Sequence, residues 1–184
     1  MNAREITKVR GGDWCGTYGM VPVPGHSPKD SIAEAVAAAS LMVIRETFKT
    51  FCFADAETIY DAALGLDVVD TSKPPGKDES AFLVTLLTAV CRPSLYLAPG
   101  ALINAASMSG AGTGKGLLAR CICMIAFGRA PHAVTGGANS EELEKRIASE
   151  LIEGSPVLFL DNLNNTVLKS NLLASAITER PARG

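Results

Sequence analysis

Residues 107–116 read Ser-Met-Ser-Gly-Ala-Gly-Thr-Gly-Lys-Gly, and this stretch limits the fold more than any other part of the chain. It follows a short apolar run at 101–106 and opens an apolar helical pattern at Lys115. Residues Ser109, Gly110, Ala111, Gly112, Thr113, Gly114, Lys115 and Gly116 come close to the pattern GxxxxGK[ST]. Glycines let the backbone curl so that successive N–H groups converge on phosphate oxygens. The helix that follows, from Lys115 through Leu117, adds its unsatisfied amides and its dipole. Lys115 then reaches the outer phosphates as a point charge. Two positions depart from the pattern. Ser109 replaces the first glycine, which is mild. Gly116 replaces the Ser or Thr whose hydroxyl would ligate Mg²⁺, which removes an oxygen from the metal.

A second feature comes in the right order. Val157-Leu158-Phe159-Leu160-Asp161 is an apolar strand ending in a carboxylate, the form of the motif whose Asp holds Mg²⁺ in nucleotide sites. The next residue is Asn162, where many ATPases carry a Glu. Asn can hydrogen-bond an attacking water but is no base. Asn162 is therefore the candidate catalytic residue, Asp161 the candidate for Mg²⁺ through the nucleotide, and ATP the expected ligand, with weak or absent hydrolysis.

The rest of the pattern sets these motifs in a fold. Residues 31–44 are rich in Ala and helix-forming, and a second helix is expected at 54–63, closed by Gly65. Residues 70–80, with Pro74, Pro75 and Gly76, read as an exposed linker. Residues 81–90 fit either an apolar helix or a buried strand, and Pro93 ends them. A strand at 101–106, a helix from Lys115 to Gly128, a short strand at 133–135, an amphipathic helix at 140–153, the 156–160 strand and a last helix at 168–178 complete the order. In the 140–153 helix Leu143, Ile147 and Leu151, with Ala148 and Ile152, form one face and Glu141, Glu142, Glu144, Lys145 and Arg146 the other. This alternation predicts an α/β fold with a mostly parallel sheet flanked by helices. The sheet is expected to be incomplete at the C-terminus, behind an N-terminal helical segment.

Composition narrows the partners. Seventeen basic against nineteen acidic residues give a net charge of −2, which excludes a dedicated basic nucleic-acid module. Forty-seven per cent hydrophobic residues and a mean hydropathy of +0.20 exclude a disordered chain. The longest apolar runs, 35–44 and 81–90, fall far short of the ~18 residues that span a bilayer. The five cysteines are odd in number and include no CxxC pair. With no secretory signal, they point to a reducing, cytoplasmic setting. Cys121 and Cys123, two apart on a helix, read as filler.

At this point the chain resembles a known group. LLTAVCRPSL, SGAGTGKGLLAR, HAVTGGANSEELEKRIASELIEGSPVLFLDNLNN and LLASAITERPAR are similar to the ATPase part of primase–helicase-like proteins of phages, plasmids and integrative elements, of the AAA+ and superfamily-three kind. The resemblance implies a replication-associated ATPase module, with Lys115 on the phosphates, Asp161 on Mg²⁺, and Gly116 and Asn162 as family variants. GDWCGTYGMVPVPGHSPKD resembles, more weakly, a primase zinc ribbon. Val23 stands where that ribbon would place a Cys and only His26 matches a ligand, so no zinc is expected there. Trp14 and Tyr18 read as anchors of a small loop.

The implied organisation is an irregular leader at 1–30, a helical segment and linker at 31–80, and a partial P-loop core at 81–184. The expected partner is nucleotide, with DNA reached through a larger assembly, no membrane, and homo-oligomerisation left open. Two alternatives stand beside it. One is a non-enzymatic remnant or interaction protein with an idle loop. The other is a small P-loop phosphotransferase, disfavoured because only Arg146 lies between Thr135 and Asp161 to serve a lid.

Overall fold

The computed structural model describes residues 28–105, 112–135, 140–162 and 170–178. The leader, including Trp14, Tyr18, Val23 and His26, lies outside them, as do Ser109, Gly110 and Ala111. The described chain is a mixed α/β structure, mostly helical, with two small two-stranded sheets. It divides into two compact units, Met1–Lys49 and Thr50–Gly184. None of its helices is long and apolar enough to cross a membrane, among the described residues.

The first unit contributes one helix, α1 (Pro28–Phe48). Alanine-rich sequence favours it, and its hydroxyls fold back onto the backbone. Ser40 Oγ donates to the Val36 carbonyl at 2.8 Å and Thr47 Oγ1 to the Val43 carbonyl at 2.7 Å.

The second unit opens with a hairpin rather than the expected helix at 54–63. Strands β1 (Thr58–Asp61) and β2 (Leu66–Val69) pair antiparallel, Thr58 opposite Val69 and Asp61 opposite Leu66. The reason lies in Asp61. Its Oδ1 accepts from the amides of Ala63 at 2.9 Å and Leu64 at 3.2 Å, so the side chain takes donors that a helix would need. Gly65, with φ of 71°, completes the turn. The β-branched Val68 and Val69 are buried, which helical propensity among the alanines does not match.

The following helix, α2 (Lys77–Val90), resolves the ambiguity at 81–90 in favour of helix and starts inside the segment read as linker. Asp55 caps it from 22 residues upstream. Its carboxylate accepts from the Lys77 amide at 2.6 Å and the Asp78 amide at 3.0 Å. The approach is close: a Cβ on Gly76 would stand 2.7 Å from Asp55 Oδ1, so a side chain there would push on the capping carboxylate. Glu79, Phe82, Leu83 and Leu86 face inward at helical spacing. A short 3₁₀ turn at Arg92–Ser94, carrying Pro93, follows the helix.

Residues 101–105 form no strand, and Leu102 is 91% exposed. No described strand runs beside them to supply the ladder that an extended segment requires. The extended parallel sheet expected from the sequence is therefore present, among the described residues, as one pair. Helix α3 (Lys115–Phe127) packs on α2 and buries Leu118, Ile122 and Cys123. Strands β3 (Ala133–Thr135) and β4 (Phe159–Asp161) pair in parallel, Val134 opposite Leu160. The crossover between them is α4 (Ser140–Ile152). Leu143 and the fully buried Ile147 of α4 pack on Val134, with Leu158 and Leu160 against them. Helix α5 (Asn171–Thr178) packs on α4. Ser170 starts it, its Oγ accepting from the Leu173 amide at 3.2 Å.

Candidate functional site

The site lies where β3 and β4 end and α3 begins. Parallel register makes Thr135 and Asp161 the last opposed residues of the two strands. A parallel pair joined by a crossover helix brings both C-terminal ends to one edge. Ligands of open α/β sheets gather at such edges.

Helix α3 presents its N-terminus there. Gly112 and Gly114 have φ of 95° and 79°, the left-handed region that glycine enters freely. Gly114 is the residue before the helix, and no side chain caps it. The Leu118 amide, at 2.9 Å from the Gly114 carbonyl, closes the first turn. The amides of Lys115, Gly116 and Leu117 precede any intrahelical acceptor and suit an anion. Gly114 is also tightly approached: a Cβ there would stand 3.2 Å from the Phe51 ring.

The two motifs meet at Gly116. A Cβ on that residue would lie 4.0 Å from Asp161 Oδ2, ordinary van der Waals contact. The position where a hydroxyl is usual thus faces the carboxylate expected to work with it, and the space for that hydroxyl exists. Lys115 Nζ donates to Thr113 Oγ1 at 3.1 Å. Asp161 Oδ1 accepts from the Asn162 amide at 2.9 Å, which leaves Oδ2 turned towards Gly116. Asn162 is exposed and has φ of 56°, conformation tolerated by Asn better than by most residues. The exposed Arg120 sits with its guanidinium 5.8 Å from the centroid of the Phe159 ring, a contact between α3 and β4.

The residues brought together are Gly112, Thr113, Gly114, Lys115, Gly116, Asp161 and Asn162. Leu117 contributes backbone only, its side chain being 67% exposed. Ser109, Gly110 and Ala111 are the expected phosphate-loop residues outside the described part. For Mg²⁺ the fit is partial. Asp161 supplies a carboxylate oxygen, Gly116 supplies none, and the Thr113 hydroxyl is bonded to Lys115.

Two features were not foreseen from the sequence. Arg146 reaches the same edge: its Nη1 donates to the Thr135 carbonyl at 3.2 Å and to Thr135 Oγ1 at 3.1 Å, and its Nη2 holds Glu142 at 2.6 Å. Its i,i+4 spacing from Glu142 was the signal for half of that arrangement. The other is a group at the opposite edge of the pair, formed by His132, Glu150 and Glu153. No local spacing announces it, because His132 and the two glutamates meet only when the crossover closes.

Comparison with protein-family models, curated proteins and solved structures finds no match.

Proposed function

We propose that this chain is a nucleoside-triphosphate-binding module of the P-loop kind, belonging to a replication-type, primase–helicase-like ATPase, with weak or no hydrolysis by itself. One observation carries the nucleotide-binding part: Gly116, in the first turn of α3, lies against Asp161 at the end of β4. Two motifs far apart in sequence thereby share one edge with an uncapped helix N-terminus and a lysine. A phosphate chain laid on the amides of residues 112–117 would meet Lys115, and a Mg²⁺ carried with it would meet Asp161 Oδ2. The link to replication ATPases rests on the sequence resemblance alone.

The weak-hydrolysis part follows from Gly116 and Asn162. Neither offers the metal-bound hydroxyl or the carboxylate base that water attack calls for. The same two residues are what a remnant with an idle loop would carry, and a binding experiment separates the two. ATP and ADP titrations, with and without Mg²⁺, are compared for the natural chain and Lys115→Ala. Micromolar binding weakened by more than about tenfold, roughly 1.4 kcal/mol, supports a working loop. No binding by a folded natural chain would leave the remnant.

A further inference from the structure

The N-terminal edge of the β3–β4 pair is chemically unlike the nucleotide edge. His132 sits immediately before β3. Glu150 is in the last turn of α4, and Glu153 follows that helix directly. One ligand atom of each lies within 4.8 Å of the other two. His132 Nδ1 and Glu150 Oε1 are 3.9 Å apart. His132 and Glu153 also line a shallow hollow of about 100 Å³, with Arg129, Ser155 and Pro156.

The sequence builds this arrangement through Gly154. With φ of 68° it turns the chain back at the end of α4. The Ser155 amide then bonds the Glu150 carbonyl at 3.2 Å and the Gly154 amide the Leu151 carbonyl at 3.2 Å, the pairing of a Schellman ending. Ser155 is thereby placed over Glu150, and its Oγ donates to Glu150 Oε2 at 2.7 Å. Glu150, its side chain only 16% exposed, is left with Oε1 directed at His132. Two carboxylates at a helix C-terminus face the negative end of the dipole, and the last turn of α4 contains no basic residue. Arg129 lines the hollow but makes no ion pair with either carboxylate among the described residues.

We infer that His132, Glu150 and Glu153 form a binding site for one divalent transition-metal cation. An imidazole with two carboxylates is a donor set for borderline ions such as Zn²⁺ and Co²⁺. In tetrahedral coordination two atoms each about 2.1 Å from one ion stand about 3.4 Å apart. The His132–Glu150 pair, at 3.9 Å, must close by about 0.5 Å. The exposed Glu153 side chain must close by at most about 1.4 Å to join them. Ser155 acts as the outer partner that fixes a ligating carboxylate. Positions not taken by protein open onto the hollow. This site shares no residue with the nucleotide edge.

The test uses the full chain and the bare metal. Zn²⁺ is titrated calorimetrically, and Co²⁺ is followed by absorption, into the natural protein, His132→Ala, Glu153→Gln and Asp161→Asn. The expected result is one saturable equivalent, weakened more than about tenfold by His132→Ala and by Glu153→Gln and unchanged by Asp161→Asn. The Co²⁺ spectrum is expected to show no intense near-ultraviolet thiolate band. His132 and Glu153 are exposed, so both variants are expected to fold, which circular dichroism checks. No saturable binding, binding indifferent to His132, a thiolate band, or loss of binding in Asp161→Asn alone would each overturn the assignment.

Discussion

The two edges of one parallel strand pair face opposite chemistries. At the C-terminal edge the N-terminus of α3 meets Asp161, and its unbonded amides and Lys115 favour an anion. At the N-terminal edge the C-terminus of α4 brings Glu150 and Glu153 to His132, and an imidazole with two carboxylates favours a metal. A βα crossover forces this division, since it returns the chain to the same end of the sheet and carries its helix dipole back with it. A carboxylate is stabilised or stranded according to which end it occupies. Asp55 shows the stabilised case: amides at the start of α2 donate to it, that of Asp78 foremost and that of Lys77 next, and they hold its carboxyl below the ordinary 3.8.

The largest expected effect erases the contrast altogether. Ile147 is fully buried between α4 and the strand pair. Ile147→Ala should cost about 2–5 kcal/mol, read as a lower midpoint in chemical denaturation, and should weaken both edges together. A loss at one edge only would show that α4 does not hold the two in common.

Lys115→Ala sharpens the contrast instead. Nucleotide binding should fall more than about tenfold, while Zn²⁺ binding at the other edge stays as it is. Parallel loss of both would mean that the substitution acts through folding.

A smaller change concerns Gly116. Because the space beside Asp161 Oδ2 is open, Gly116→Ser is expected to fold and to supply the missing oxygen. Its ATP affinity should become severalfold more dependent on Mg²⁺ than that of the natural chain, measured by titration with Mg²⁺ or with chelator. Equal dependence in the two proteins would place the hydroxyl away from the metal.

The smallest effect tests the dipole argument at a third helix end. Asp55 is held charged in the folded chain, so its stabilising contribution is complete above the ordinary value and is lost as pH falls through the lowered one. Between about pH 5 and pH 3 the melting temperature of the natural chain should drop more steeply than that of Asp55→Asn. Identical slopes would show that the cap carries no charge-dependent share.

Some elements were readable from local sequence because local sequence causes them. The α3 helix begins at Lys115 after Gly112 and Gly114, and both glycines hold left-handed conformations that few other residues take. The α4 stripe is buried at Leu143 and Ile147 as its period requires, but its last members, Leu151 and Ile152, are exposed at the end of the helix. The strand ending at Asp161 stands at the expected place. Other elements were not readable. Alanines at 54–63 favour helix, yet Asp61 captures two amides and the burial of Val68 and Val69 completes a hairpin. The run at 101–106 looks like a strand in isolation, but a strand exists only with a partner for its backbone groups.

By itself the sequence determined the glycine-rich turn, the helix it starts, the apolar strand that ends in Asp161 and the amphipathic helix between them, since each follows from backbone freedom or from periodicity within one segment. Only the tertiary structure decided that Gly116 stands against Asp161, that Asp55 caps a helix 22 residues on, and that His132 meets Glu150 and Glu153. These are contacts between segments, and no local preference encodes them. They arise when separate apolar contacts close, Ile147 with Val134 and Leu160 in the crossover and Phe53 with Phe82 beside the start of α2, and so fix which ends of the elements meet.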